Sequence, residues 1–274
     1  MQITVTKRLS HGLSLNANYT YSKALALTSS PDIFNRDLGK TLNSTDLPHQ
    51  FRLSAEYTTP KVRGGKILGN KLVSYALSDW GVGWFLQYQS AAIIGRPAET
   101  TTTPISQFTG RGPGSAQYIP GQPLYSVDWT DYSGVHHTDE LDINCHCFDP
   151  TKNIVLNPKA WANIPDGQWG AQQDSIRNFR GFRYPQENVN FSRNFRLKER
   201  LSLQVRVEFT NAFNRTQLPQ PASGGIVPQN FNSAPQTFST GSNTGLYSAG
   251  FGTVVPVTGT ANARSGLLIA RLQF

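Results

Sequence analysis

The segment 136–147 concentrates side chains that could bind a metal ion. Thiolates and imidazoles are the ligands that zinc prefers, and the candidates are His136, His137, Cys145, His146 and Cys147. Their spacing matches no zinc pattern, and Cys-x-Cys leaves little room for tetrahedral coordination by both thiolates. Exposed cysteines in an oxidising location more often form disulfides. We therefore expect no metal, and a disulfide within this pair or to another cysteine.

Catalytic chemistry has little support in the sequence. Arg206 and Glu208 share one side of a predicted strand, but a charged pair is ordinary on the polar side of a membrane barrel. The chain contains no nucleophile elbow, no phosphate-binding loop and no H-E-x-x-H motif. We therefore expect neither enzymatic activity nor a cofactor.

Six aromatic side chains in the range 95–186 could bind a ligand, by stacking on sugars or by gripping a peptide. The alternative is that each packs within its own loop. Loops of this length in compact domains are usually functional or disordered. The candidates are Tyr118, Tyr125, Trp129, Tyr132, Trp161 and Trp169.

The elements that must position these groups are strands with one apolar and one polar face. Five stretches alternate strictly, and the clearest is 13–22, LSLNANYTYS. Strands of about ten residues with aromatic ends are typical of transmembrane β-barrels. The side chains predicted to face lipid are Leu13, Leu15, Tyr19, Tyr21, Phe51, Leu53, Tyr57, Trp80, Trp84, Tyr88, Leu201, Leu203, Val205, Val207 and Phe209.

Composition agrees with an all-β chain of 274 residues and argues against a membrane helix or a nucleic-acid groove. Charged residues make up 15%, against roughly 25% in soluble domains. No run of about 18 apolar residues is present. The formal net charge is +8, but the basic residues are scattered singly, whereas nucleic-acid binding needs a concentrated basic face.

The connections between the predicted strands alternate between short and long. Bacterial outer-membrane barrels have short periplasmic turns and long extracellular loops, so we expect a Gram-negative outer-membrane location. The predicted strands are about 1–8, 12–23, 51–58, 80–89, 188–196, 201–210 and 263–274, and the long loops are 24–49, 95–186 and 214–262.

Seven strands, or eight if 95–186 hides another, leave open sheet edges that lipid does not tolerate. The start of the chain also lacks an apolar signal segment. We therefore expect residues 1–274 to be the C-terminal portion of a larger antiparallel barrel. The alternative is a soluble or surface all-β module for glycan binding or adhesion, in which the same apolar side chains are buried within the protein.

Several segments resemble the Oar-like, acidobacterial TonB-dependent receptors. Residues 12–23, GLSLNANYTYSK, are similar to that family's GLSxxANYTYSKAL segment, and 46–51 and 80–90 resemble its D-x-x-H-x-F and GW…YQSG strands. The most specific match has two parts, 195–201 (FRLKERL) and 208–214 (EFTNAFN), which resemble the family's NFRLTERLxLQxRxEFFNAFN segment.

The resemblance implies a 22-stranded barrel that takes up or exports a bulky ligand such as an oligosaccharide, peptide or protein. It also implies a plug and a TonB-binding box that this sequence lacks, so TonB would be engaged only through a missing N-terminal part. The chain end is similar to the signal read by the barrel-assembly machinery, with Leu272 in place of an aromatic. That signal comprises Leu268, Ala270, Leu272 and Phe274.

Overall fold

Seven strands form one antiparallel sheet in which sheet order follows chain order. The computed structural model describes residues 1–28, 30, 32–60, 78–99, 115–145, 147–173, 175–198, 201–224, 237–238, 247–254 and 263–274. The strands are β1 (Gln2–Ser10), β2 (Leu13–Tyr21), β3 (His49–Thr58), β4 (Trp80–Gln89), β5 (Gln186–Lys198), β6 (Leu201–Thr210) and β7 (Ser265–Gln273). All seven predicted strands are confirmed, with ends that differ by at most two residues.

Smaller elements lie in the long connections and do not join this sheet. Short strands pair as Leu25–Leu27 with Lys40–Leu42, Gln117–Tyr118 with Trp161–Ala162, Trp129–Thr130 with His136–His137, and Thr237–Phe238 with Tyr247–Ala249. Two 3₁₀ turns cover Arg36–Gly39 and Pro158–Ala160. Within the described part of 95–186, no eighth strand is added to the sheet.

The register places most apolar side chains of the seven strands on one side of the sheet, whereas Phe85, Leu267 and Ile269 lie on the other. Tyr19 pairs with Phe51, which pairs with Tyr88, and Leu203 pairs with Leu272. We call this side the apolar face and the opposite side the polar face. All fifteen side chains predicted to face lipid share the apolar face, together with Leu268, Ala270 and Leu272.

The apolar face is not the hydrophobic core of the protein. Ile3, Leu268 and Leu272 are 49%, 68% and 53% exposed. Among the described residues, no buried hydrophobic side chain belongs to the seven strands. A soluble sandwich would bury this face beneath a second layer. An uncovered apolar face with aromatic ends is instead suited to contact with lipid.

Arg193 is the one basic residue that follows Val189 and Phe191 on the apolar face of β5. The register passes through Arg193 without a bulge, since it lies opposite Trp80 and Val205. Its guanidinium lies over the rings of Trp80, at 5.5 Å, and Phe195, at 4.7 Å. Because Trp80 begins β4, this cation–π cluster lies towards the end of the sheet that carries the two short turns. A charge near that end can reach the membrane–water interface.

A two-residue turn joins β1 to β2 and needs glycine. His11 and Gly12 have φ of 52° and 79°, the left-handed pair that two-residue hairpins prefer. A Cβ on Gly12 would come within 2.3 Å of the Thr58 carbonyl oxygen. The Gly12 carbonyl also accepts a hydrogen bond from the Thr58 N–H, at 2.7 Å. The turn is therefore fixed against β3 as well as within its own hairpin.

Replacing Gly12 with alanine should destabilise the protein by about 1–3 kcal/mol, since left-handed strain of that order is joined by a clash with backbone. Urea unfolding of the detergent-solubilised protein measures the change. Gly121→Ala is the matched control, because Gly121 also has positive φ, 85°, but nothing lies within 4 Å of its added Cβ. Equal effects of the two substitutions would contradict the contact with Thr58.

Candidate functional site

The three long connections lie at the same end of the sheet, and the second and third of them carry the hydrophobic core. We call their described residues, within 22–48, 90–185 and 211–264, the cap. The core of the cap includes Phe148, Phe179, Phe182 and Phe251, all at most 2% exposed. Its other members are Ile94, Ala116, Trp129, Leu141, Ile143, Val155, Leu156, Ala160, Trp161, Leu218 and Val254. The cap is thus a folded body rather than a set of separate loops.

A buried ion pair ties the first long connection to the second. The Arg180 Nη2 atom lies 2.6 Å from Asp46 Oδ2, and Asp46 is 1% exposed. The other Arg180 amine donates to the carbonyls of Asp46, at 2.8 Å, and Ala91, at 3.0 Å. Asp46 Oδ1 accepts from the Ala24 N–H. Because both charges are satisfied by several bonds, the pair holds the connections in one arrangement.

Tyr125 continues this network into the core of the cap. Its hydroxyl donates to the carbonyls of Asn178 and Arg180 and lies 3.0 Å from the Arg180 amide nitrogen. Burial raises the pKa of the Tyr125 hydroxyl above its ordinary value. The neutral phenol is therefore retained well beyond neutral pH, which keeps it as a donor.

Two further contacts fix the cap to itself and to the sheet. The hydroxyls of Thr41 and Ser175 lie 2.6 Å apart, and each side chain also bonds the other segment's backbone. Arg215 in the third connection lies 2.7 Å from Glu187 at the start of β5. The hydrogen bond with Glu187 raises the pKa of Arg215. All three connections are therefore anchored to each other or to the strand ends.

Cys145 and Cys147 are joined by a disulfide, which occupies both sulfurs of the candidate metal site. His136 lies 3.5 Å from Asp128, and His137 lies 3.1 Å from Asp131. The hydrogen bond from His137 holds the pKa of Asp131 below its ordinary value. His146 lies outside the described residues. In the part of the chain that the structure describes, no three metal-ligating side chains come together.

The structure separates the six aromatic candidates into four that lie in or against the core of the cap and two that lie outside it. Trp129 and Trp161 are 7% and 3% exposed and lie in the core of the cap. Rings buried to this extent present little surface to a ligand. Trp129 stacks on His137 at 4.1 Å between ring centroids. Tyr118 and Tyr125 pack against the same core and are half-buried.

Two of the six lie outside the core of the cap, and one of them has an aromatic partner that sequence reasoning missed. Tyr132 is 64% exposed. Trp169 is half-buried and makes an edge contact, 6.0 Å between ring centroids, with Phe34, which is 82% exposed. Ile33 and Phe34 interrupt the polar loop 24–49, and that apolar pair was the available signal. Phe34 and Trp169 form an aromatic pair between two connections, with the Phe34 ring exposed.

The polar face carries a groove of about 430 Å³ across β3 to β6. Arg206 and Glu208 lie in it as an ion pair, 2.7 Å between Nε and Oε1. Gly81 and Gly83 leave room for Ser192 and Asn190 on the neighbouring strand, because an added Cβ would come within 2.6 Å of either side chain. Apart from Phe85, the side chains of the polar face that line the groove are amides, hydroxyls and charged groups, which suit a hydrated surface.

No described helix is long or apolar enough to span a membrane. A family model for an outer membrane beta barrel domain matches residues 1–262. The chain matches no curated protein and no solved structure.

Proposed function

The chain belongs to the family of outer membrane beta barrel domains, and from that premise we propose that it forms part of the wall and outer loops of a TonB-dependent receptor. The protein lies in the outer membrane, with its polar face towards the barrel interior. In the proposal, residues 1–274 are the C-terminal portion of the barrel. TonB acts only through a plug and coupling segment that precede them, and the barrel-assembly machinery reads the β7 end.

The proposed activity is uptake or export of a bulky ligand, an oligosaccharide, peptide or protein, without catalysis and without nucleic acid. The observation that carries it is the cap, which holds three long connections together at one end of the strands. Exposed aromatic rings in such a body can stack on sugars or grip a peptide. The pair of Phe34 and Trp169 is the contact we assign to ligand capture, with Tyr132 as a further candidate.

The first test is the mass and TonB contact of the native protein in isolated outer membranes. An antibody against 115–145 should detect a band several-fold above 30.2 kDa, and cross-linking should join that band to TonB. A 30.2 kDa membrane band that never cross-links to TonB would overturn the receptor and favour a surface adhesion module.

The second test concerns capture and uses arrays of immobilised oligosaccharides and peptides as probes. Binding by the detergent-solubilised protein should fall about fivefold or more in Trp169→Ala, since stacking contacts contribute on the order of 1 kcal/mol or more each. Tyr184→Ala is the control, because Tyr184 is 41% exposed and lies outside the pair. Equal losses from both substitutions would argue against Phe34 and Trp169 as the capture element.

A further inference from the structure

A basic pocket lies where the apolar face meets the cap. Its volume is about 470 Å³, and its lining includes Tyr21 and His49 from the ends of β2 and β3. These two residues pair in the register that carries Tyr19 and Phe51 on the apolar face. Tyr19 donates or accepts a 2.8 Å hydrogen bond with His49, and the rings of Tyr21 and His49 lie 5.2 Å apart. Such amphipathic rings settle at headgroup depth.

The cap side of this pocket is strongly basic. Arg177, Arg180 and Arg183 line it, and no Asp or Glu is among its lining residues. The charge of Arg180 is matched by Asp46. Arg177 and Arg183 are exposed, and in the described part of the chain neither has a carboxylate within ion-pair distance. Two guanidinium groups therefore remain available to an anion.

The segment that carries these arginines is held rigidly in place. The Ile94 N–H donates to the Phe179 carbonyl at 2.9 Å, and the Gly181 N–H donates to the Ala92 carbonyl at 3.0 Å. Arg180 is fixed by Asp46 as described. Arg177 and Arg183 thus flank a pinned stretch of backbone, which lowers the entropic cost of binding a ligand.

We propose that this pocket binds the phosphate of a lipid headgroup in the outer leaflet of the outer membrane. Guanidinium groups match phosphate oxygens in a bidentate geometry, and Asn144 and Asn178, which also line the pocket, supply neutral hydrogen-bonding groups. The acyl chains of such a lipid would continue along the apolar face beside Tyr21 and Phe51. The site depends on the membrane placement of the sheet and not on TonB or on a transported ligand.

The test uses the protein extracted from outer membranes into detergent, with diphosphoryl lipid A as the probe and native mass spectrometry as the readout. The double variant Arg177→Ala/Arg183→Ala should bind lipid A about tenfold or more weakly, since it loses two charge-assisted hydrogen-bonding groups, which are among the strongest contacts to phosphate. Arg177→Lys/Arg183→Lys should lose less affinity, because lysine keeps the positive charge although it lacks the bidentate guanidinium. Arg264→Ala, another exposed arginine at the same end of the sheet, should bind as the unmodified protein does.

Three outcomes would overturn the proposal. One is an unchanged affinity in the double alanine variant, and another is an equal loss in Arg264→Ala. The third is equal binding of lipid A from which both phosphates have been removed. Competition by inorganic phosphate at micromolar concentration would identify a free anion as the ligand instead of a lipid. The site is supported if the double alanine variant binds lipid A weakly while Arg264→Ala binds it normally. Trp fluorescence of each variant verifies that the cap is folded.

Discussion

Replacing Leu53 with arginine is expected to prevent the protein from accumulating in the outer membrane, whereas the same replacement at Ser54 should be tolerated. Leu53 lies in the middle of β3 on the apolar face, opposite Ala17 and Leu86. Ser54 is the next residue and lines the groove on the polar face. Arginine on the lipid side of a barrel costs about 2–4 kcal/mol near the membrane midplane, but a hydrated interior accepts a charge at little cost.

The measurement is the amount of each variant in washed outer membranes, together with its urea unfolding midpoint in detergent. The two substitutions add the same side chain to neighbouring positions of one strand, so strand propensity is matched. Comparable losses in both variants would indicate that both faces are packed or that neither meets lipid. A reversed order would place the polar face towards lipid and contradict the assigned faces.

The second large effect is expected from Asp46→Ala, which should open the cap while leaving the sheet intact. Removing one partner of a buried ion pair costs about 3–5 kcal/mol, because the remaining charge is left uncompensated. Arg180 would lose its carboxylate partner, and the Ala24 N–H would lose its acceptor. Segments 22–48 and 175–183 should then exchange amide hydrogens faster, whereas β2 to β6 should not.

Hydrogen–deuterium exchange of the detergent-solubilised protein gives this distinction segment by segment. Asp37→Ala is the control, since the side chains of Asp37 and Lys40 are 83% and 71% exposed and an exposed pair contributes little. Unchanged exchange in the Asp46 variant would mean that Thr41, Ser175 and the hydrophobic core hold the cap without the ion pair.

The sheet could be predicted from the sequence because its signal is local and repeated. A strand with lipid on one side and water on the other must alternate at every residue, as Leu201 to Thr210 do. The exceptions are informative: Arg193 interrupts the alternation yet keeps its register, since Trp80 and Phe195 cover its guanidinium. β7 places Leu267 and Ile269 on the polar face opposite Glu208 and Arg206, so its alternation is the weakest.

The cap could not be predicted in the same way, because its determinants are distant in the chain. Asp46 and Arg180 are separated by 134 residues, as are Thr41 and Ser175, and no short period links such positions. Composition alone did not distinguish Trp129 and Trp161, which are core residues, from Trp169, which lies outside the core. The sequence did mark Asp46 and His49 through the resemblance of 46–51, without indicating their partners.

The core of the cap draws on residues that precede β5 and others that follow β6, such as Phe182 and Leu218. Pairing of the intervening strands brings those side chains close together, and it lowers the entropic cost of closing a loop over so long a separation. We therefore expect strand pairing to precede cap closure during biogenesis. Protease resistance of the cap at the cell surface would then report that the wall beneath it has finished assembling.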